Sequence, residues 1–299
     1  MAIFFGLLAA FAWAGADFFA RQVARRIGAY RAFVLMQCVG LILLSLYLSF
    51  ARDPHATSLA ALWAATRRDW RWALAAGLLN IAASLSLYRA FAVGKLALVT
   101  PISASYPALT VVLALASGER LKTTAGCGIG IVLAGVILAV VPRGNLANSA
   151  SAAWRARSGT AMERGVGWAL AAALGFGVLF WVLGFRVTGA LGGVLPVWVI
   201  RLMGATLLLT LALRRRRQPV LPRGGIWPPL VGSALLDTTA FVSNTLGLTT
   251  GHVSVVTVLA SLFGAMAVLL AWLFLGERLS GRQWLGIVMI LAGVALVSI

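Results

Sequence analysis

The chain has 299 residues, 61% of them hydrophobic and only 11% charged, with a mean hydropathy of +0.97 and a net charge of +18. Soluble domains are roughly 45–50% apolar and about 25% charged, so this composition excludes a water-soluble globule and makes lipid the solvent. The basic excess does not indicate nucleic acid: the arginines sit between apolar stretches, in "RQVARRIGAYR", "RRDWR" and "RRRRQP", where they serve as topology signals and headgroup contacts.

About 20 apolar residues cross a hydrocarbon core of roughly 30 Å. Ten stretches qualify: 2–22, 30–50, 70–92, 96–117, 124–142, 164–187, 193–213, 225–248, 251–275 and 280–298. Helices satisfy their own backbone in lipid, and the runs are continuous, not alternating as in barrel strands. The expected fold is an all-α polytopic membrane protein with ten transmembrane helices. The first stretch lacks a basic n-region and is long enough to span, so it is read as a retained helix and not a signal peptide.

Charge inside a span is costly and needs a reason. In the first span Trp13, Asp17 and Arg21 share one face. Asp17 stands four residues before Arg21, a favourable helical spacing, which fits an interfacial ion pair or a gate at a cavity mouth. The third span groups Asn80, Ser84, Tyr88 and Phe91. The fourth groups Thr100, Ser103, Pro107 and Thr110, with Pro101 and Pro107 bracketing "ISASY" and Tyr106 available as an aromatic wall. Proline inside a helix removes a backbone bond and tends to kink it. Arg201 lies near the middle of the seventh span and Asp237 near the middle of the eighth, with Asn244 on the same face as Asp237. This pair is either a structural salt bridge or a cavity-lining pair that titrates or grips a charged solute. The ninth span groups Thr257, Ser261 and Gly264, Ser261 aligning on Ser103. Stripes of this kind face protein or water, as bonds between helices or as cavity walls. Trp63, Trp70, Trp72 and Trp227 stand near span ends; Trp13, Trp181 and Trp198 stand deeper. Cys38 and Cys127 read as small apolar fillers.

A shift of 158 residues lays "GERLKTTAGCGIGIVLAGVIL" (118–138) on "GERLSGRQWLGIVMILAGVAL" (276–296) without a gap, with eleven of 21 positions identical. The chain is therefore two similar five-helix units, 1–142 and 164–299, joined by a linker at 143–163. Five is odd, so the second unit enters from the opposite side and the two are inverted, as in many secondary transporters. In the repeated element Gly118, Glu119, Arg120, Gly276, Glu277 and Arg278 are expected to fix a tight turn by pairing Glu with Arg or with interfacial groups. Thr123 and Ser280 are expected to cap the following helices, and Gly126 with Gly130 resembles small-residue helix packing.

"KLALVTPISASYPALTVVLALASGERL" followed by "GIGIVLAGVIL", and its second copy from "HVSVVTVLASLFG" onward, resemble the hallmark of the EamA family of the drug/metabolite transporter superfamily. The second copy departs from the first in having Leu259 where Pro101 stands. The resemblance covers essentially the whole chain. It implies a secondary transporter, expected to be an exporter of a small metabolite or drug by alternating access through a central cavity. Trp13, Asp17, Asn80, Ser84, Tyr88, Ser103, Tyr106, Arg201, Asp237, Asn244 and Ser261 are the candidates for that cavity. The rival classes are a channel and a protein that handles lipid carriers. No acid–base cluster, metal-ligand set or phosphate loop is present, and His55 and His252 are far apart, so neither enzyme activity nor a cofactor is expected. The expected partners are a small solute, protons as a candidate co-substrate, and membrane lipids, with the chain as monomer or homodimer in the cell (inner) membrane. Basic residues weigh toward both termini outside by the positive-inside rule, whereas the resemblance implies both inside. The arginine-over-lysine bias and abundant alanine suggest a GC-rich bacterial genome.

Overall fold

A computed structural model describes residues 1–50, 65–94, 96–140, 161–214, 224–275 and 281–297, and all regular structure among them is helical. Helix α1 (Ala2–Ile27) turns into α2 (Ala29–Phe50) across Gly28 alone, whose φ of +85° suits a residue without a Cβ. Helix α3 (Arg67–Val93) starts three residues before the expected position. A capping box fixes that start: Asp69 N–H donates to Thr66 Oγ1 at 3.4 Å and Thr66 N–H donates to Asp69 Oδ2 at 2.9 Å.

The remaining helices are α4 (Leu96–Ser103), α5 (Pro107–Ala116), α6 (Thr123–Val140), α7 (Ala161–Val182), α8 (Leu195–Arg214), α9 (Trp227–Leu248), α10 (Val253–Ala260), α11 (Phe263–Leu275) and α12 (Gly281–Val297). Helix α7 continues through a π turn, Leu183–Val187, into a last turn, Thr188–Leu191. Joining α4 to α5 and α10 to α11 gives ten passes. Among the described residues five stretches are long and apolar enough to cross a membrane unaided: Ala2–Ile27, Ala29–Phe50, Arg67–Val93, Gly165–Leu191 and Val253–Phe274. Large apolar side chains such as Phe11, Leu174, Leu273 and Leu285 stand exposed on the outer surface, an arrangement suited to lipid and costly in water. The expected linker 143–163 lies outside the described residues except for its last three positions, which already belong to α7.

Two expected single helices are each broken in the middle. Ile102–Tyr106 closes the fourth span with turn bonds, and Pro107, which has no N–H to lose, starts the next helix. The ninth span breaks at Ser261–Leu262 without a proline. Both breaks use the same device: Ser103 Oγ donates to the Thr100 carbonyl at 3.0 Å, and Ser261 Oγ donates to the Val258 carbonyl at 2.7 Å. The hydroxyls thus bond to their own backbone at the break.

Packing between the units follows an exchange. Helix α1 lies along α9 and α3 lies along α7. Helix α1 also packs on α10 and α11, while α7 packs on α4 and α5. Helix α2 meets α8, α5 meets α10, and α6 meets α12. Swapping the first five passes for the last five maps this set of pairings onto itself. Two units of odd pass number related by such an exchange are inverted, with the axis in the membrane plane. The α6–α12 pair closes on glycine: a Cβ at Gly293 would sit 2.7 Å from the Gly128 carbonyl oxygen. Gly126 and Gly130, expected at a helix interface, instead face open space. The contact uses the neighbouring face, where Gly128, Gly135 and Gly286 are buried.

Candidate functional site

Arg201 and Asp237 come together from α8 and α9. Arg201 Nη2 donates to Asp237 Oδ2, and Nη1 donates to Gln37 Oε1 on α2 and lies 3.2 Å from Met36 Sδ. The guanidinium also lies 5.7 Å from the Phe241 ring centre. The arginine side chain is 2% exposed and the aspartate 19%: both border a cavity, the anion more openly than the cation. Gly40 allows this close approach, since a Cβ there would lie 2.8 Å from Thr238 Oγ1 and 3.1 Å from Arg201 Nε.

Trp13 Nε1 donates to the other Asp237 oxygen at 3.2 Å. Asp17, one turn further along α1, is not at an interface as one reading of the sequence held. It is buried and lines the same cavity, and its Oδ2 has no hydrogen-bond partner among the described residues. The reason is helix rotation: the face carrying Trp13 points at α9, so residues 13 and 17 both turn inward. From α3, Asn80, Ser84, Leu87 and Tyr88 line the opposite wall. Ser84 Oγ lies 3.4 Å from Asn80 Oδ1, and Ser233, which lines the cavity with Tyr88, donates to the Ala16 carbonyl at 3.2 Å. The empty space between these side chains, open mouth included, is about 570 Å³.

An aromatic floor closes one end. Trp13 packs against Phe180, Phe241 and Phe263 at 5.6, 5.9 and 5.9 Å between ring centres, and Tyr106 lies 4.9 Å from Phe180. The Tyr106 hydroxyl donates to the Thr257 carbonyl at 3.1 Å, joining the two broken spans. Ten passes put both termini on one face. Positions along the helices place the floor on the side of that face and Tyr88, Ala20 and Ser233 on the other. The cavity therefore runs from mid-depth toward the face opposite the termini.

The GERL turn sits below the floor, on the terminal face. Gly118, at φ +94°, lets Glu119 N–H reach the Ala114 carbonyl and Gly118 N–H reach the Leu115 carbonyl, a Schellman ending to α5. The Glu119 carboxylate does not turn to Arg120, which is exposed. It crosses to the other unit, accepting from Ser254 N–H at 3.1 and 3.2 Å and from Ser254 Oγ at 2.9 Å. This caps the first turn of α10, where a negative charge meets unpaired backbone donors. Partial burial pushes the Glu119 carboxyl above its ordinary value, against the opposing pull of the Ser254 bonds and nearby His252. Thr123, expected to precede its helix as a cap, is the first helical residue. Gly276, Glu277, Arg278 and Ser280 lie outside the described residues.

Of the expected cavity residues, Trp13, Asp17, Asn80, Ser84, Tyr88, Tyr106, Arg201 and Asp237 line one cavity. Ser103, Asn244 and Ser261 do not: the serines bond to their own carbonyls at the breaks, and Asn244 is fully buried beyond the cavity wall. Pro101 falls within α4. Trp181 is nearer a helix end than expected, donating to Ser117 Oγ at 2.8 Å beside Arg186. The sequence reading missed Gln37, Ser233, Phe176, Phe180, Phe241 and Phe263. Gln37 carried a signal, a lone amide in an apolar span; the phenylalanines carried none, being ordinary residues of apolar runs. Among the described residues no group of His, Cys, Asp and Glu is assembled to hold a metal ion.

No curated protein matches the chain. A solved crystal structure of a protein is similar over 99% of this chain and 95% of that one, with a TM-score of 0.70 and 19% identity, a likeness of fold alone. The model of the EamA-like transporter family matches residues 1–141 and 163–299. With both matched stretches made of helices that cross a membrane and pack by exchange, the chain is a multi-pass membrane protein that belongs to the EamA-like transporter family.

Proposed function

We propose that this protein is a secondary transporter that carries a small solute by alternating access through the central cavity, moving it outward across the cell (inner) membrane. The observation that carries this reading is the buried Arg201–Asp237 pair on a cavity between two exchanged units. Charges at that depth are expensive and mark solute or ion pathways, and inverted units place such sites near the midplane. In this reading the units are 1–142 and 164–299 with the linker 143–163 between them. The aromatic floor favours a carrier over a channel, because the packed rings interrupt a continuous path past the cavity. Protons are the proposed co-substrate, held at Asp17 or Asp237. A flux that ignores a pH gradient in both wild type and D237N would remove that coupling.

The test uses two reporters in a chain lacking Cys38 and Cys127. Ala20→Cys stands on the cavity wall and Ala9→Cys lies on the terminal side of the floor, fully buried. In proteoliposomes a membrane-impermeant thiol reagent is expected to reach Ala20→Cys from the face opposite the termini and to miss Ala9→Cys. During saturable flux the exposure is expected to exchange between the two. Simultaneous reactivity from both faces would establish a channel.

A further inference from the structure

The cavity carries an uneven charge balance. Asp17, Asp237 and Arg201 all line it. Arg201 and Asp237 neutralise one another, and the outer nitrogens of Arg201 are committed to Asp237 and Gln37. Its Nε has no partner among the described residues but is buried and turned toward Gly40, so that guanidinium has little left to offer an anion. Asp17 has the opposite character. It is 7% exposed, and one oxygen lacks a partner among the described residues. The other acid of the cavity lining is Asp237, already paired with Arg201. Arg21, four residues on, does not line the cavity and has a contact of its own. A carboxylate buried this deeply requires a cation or a proton.

The second observation is the wall that faces this excess. Trp13, Tyr106, Phe176, Phe180, Phe241 and Phe263 all line the cavity. Aromatic faces are electron-rich and attract cations, most strongly where water is excluded. Trp13 stands one helical turn from Asp17, so the carboxylate and the aromatic surface border the same space. A solute anion would meet two acids and a neutralised arginine there. A solute cation would find its counter-charge and a π surface together.

We propose that the cavity selects a monovalent organic cation, an amine carried on an apolar or aromatic body. Its ammonium group lies against Asp17 and its body against the ring wall around Trp13. This rests on the transport reading of the same cavity.

The test holds the body constant and varies the charge. The full-length protein is given 2-phenylethylamine (cation), phenylalanine (zwitterion), 3-phenylpropionate (anion) and 2-phenylethanol (neutral). Equilibrium binding is measured in detergent and flux in proteoliposomes. The amine is expected to bind about tenfold or more tightly than the other three, and to lose about tenfold in Asp17→Asn, a loss of the size expected for a desolvated ammonium contact. Asp17→Glu is expected to restore much of that loss. Phenylalanine or 3-phenylpropionate binding as tightly as the amine would overturn the proposal. So would equal binding of the alcohol, no binding of the amine, or amine binding indifferent to Asp17→Asn. If Asp17→Asn does not fold, the four-probe series in the wild type still decides. Amine binding without flux would refute transport and leave the cation site. Flux of the anion or zwitterion in preference to the amine would leave transport and refute the cation site.

Discussion

Removing Asp237 tests whether the ion pair is as buried as its geometry states. In Asp237→Ala the Arg201 guanidinium stays in place, 2% exposed, with Gln37 as a polar partner and no counter-charge at its side. Breaking one half of a buried pair costs about 3–5 kcal/mol. Trp13 Nε1 also loses its acceptor at 3.2 Å, adding about 1 kcal/mol. A double variant, Arg201→Met with Asp237→Asn, removes both charges and keeps an acceptor for Trp13. It is expected to lie within about 2 kcal/mol of wild type, because replacing a whole buried pair is often near neutral. The assay is reversible unfolding in mixed micelles of rising SDS fraction, followed by tryptophan fluorescence, on wild type, Asp237→Ala, Asp237→Asn, Arg201→Met and the double variant. The coupling energy should far exceed the roughly 0.3–0.5 kcal/mol within which independent sites add. Single losses below about 1 kcal/mol, or losses that simply sum in the double variant, would refute the reasoning and make the pair solvated.

Four further outcomes are expected. Glu119→Ala removes the charged cap of α10 and should cost about 1–2 kcal/mol, while raising thiol reactivity of Ala9→Cys from the terminal face; unchanged reactivity would deny the clamp a closing role. Glu119 also gives a pH dependence of stated sign. Its carboxyl is raised in the closed arrangement, so closure is favoured below the ordinary glutamate value and that advantage is lost as pH rises through the raised one; Ala9→Cys reactivity, compared with the same reporter in Glu119→Gln, reads this directly, and equal slopes would contradict it. Gly293→Leu places a Cβ 2.7 Å from the Gly128 carbonyl oxygen and should destabilise by about 1–3 kcal/mol or more. Gly126→Ala and Gly130→Ala, facing open space, should stay within about 0.5 kcal/mol in the same SDS titration.

The repeat, the span count, the inversion and the pairing of Arg201 with Asp237 could all be read from the chain by itself. The physical reason is that each depends on quantities summed along it: apolar length, an odd number of crossings, and two opposite charges at mid-depth in adjacent spans. Proline and glycine near residues 107 and 118 likewise announced a break and a turn, because their backbone limits are local. Helix rotation and tilt decided the rest. They put Asp17 in the cavity, where the chain alone allowed either an interfacial ion pair or a gate at the cavity mouth, gave Arg201 its Gln37 partner, and turned Ser103 and Ser261 back onto their own breaks. They also drew Trp13, Tyr106, Phe180, Phe241 and Phe263 from five passes into one floor. Glu119 illustrates the boundary best. Its repeat in GERL marked it as important, and its neighbour Arg120 was the obvious local partner. Only the packed structure carries it 135 positions onward to Ser254, because a carboxylate at a helix end goes to whichever unpaired backbone donors tertiary packing brings within reach.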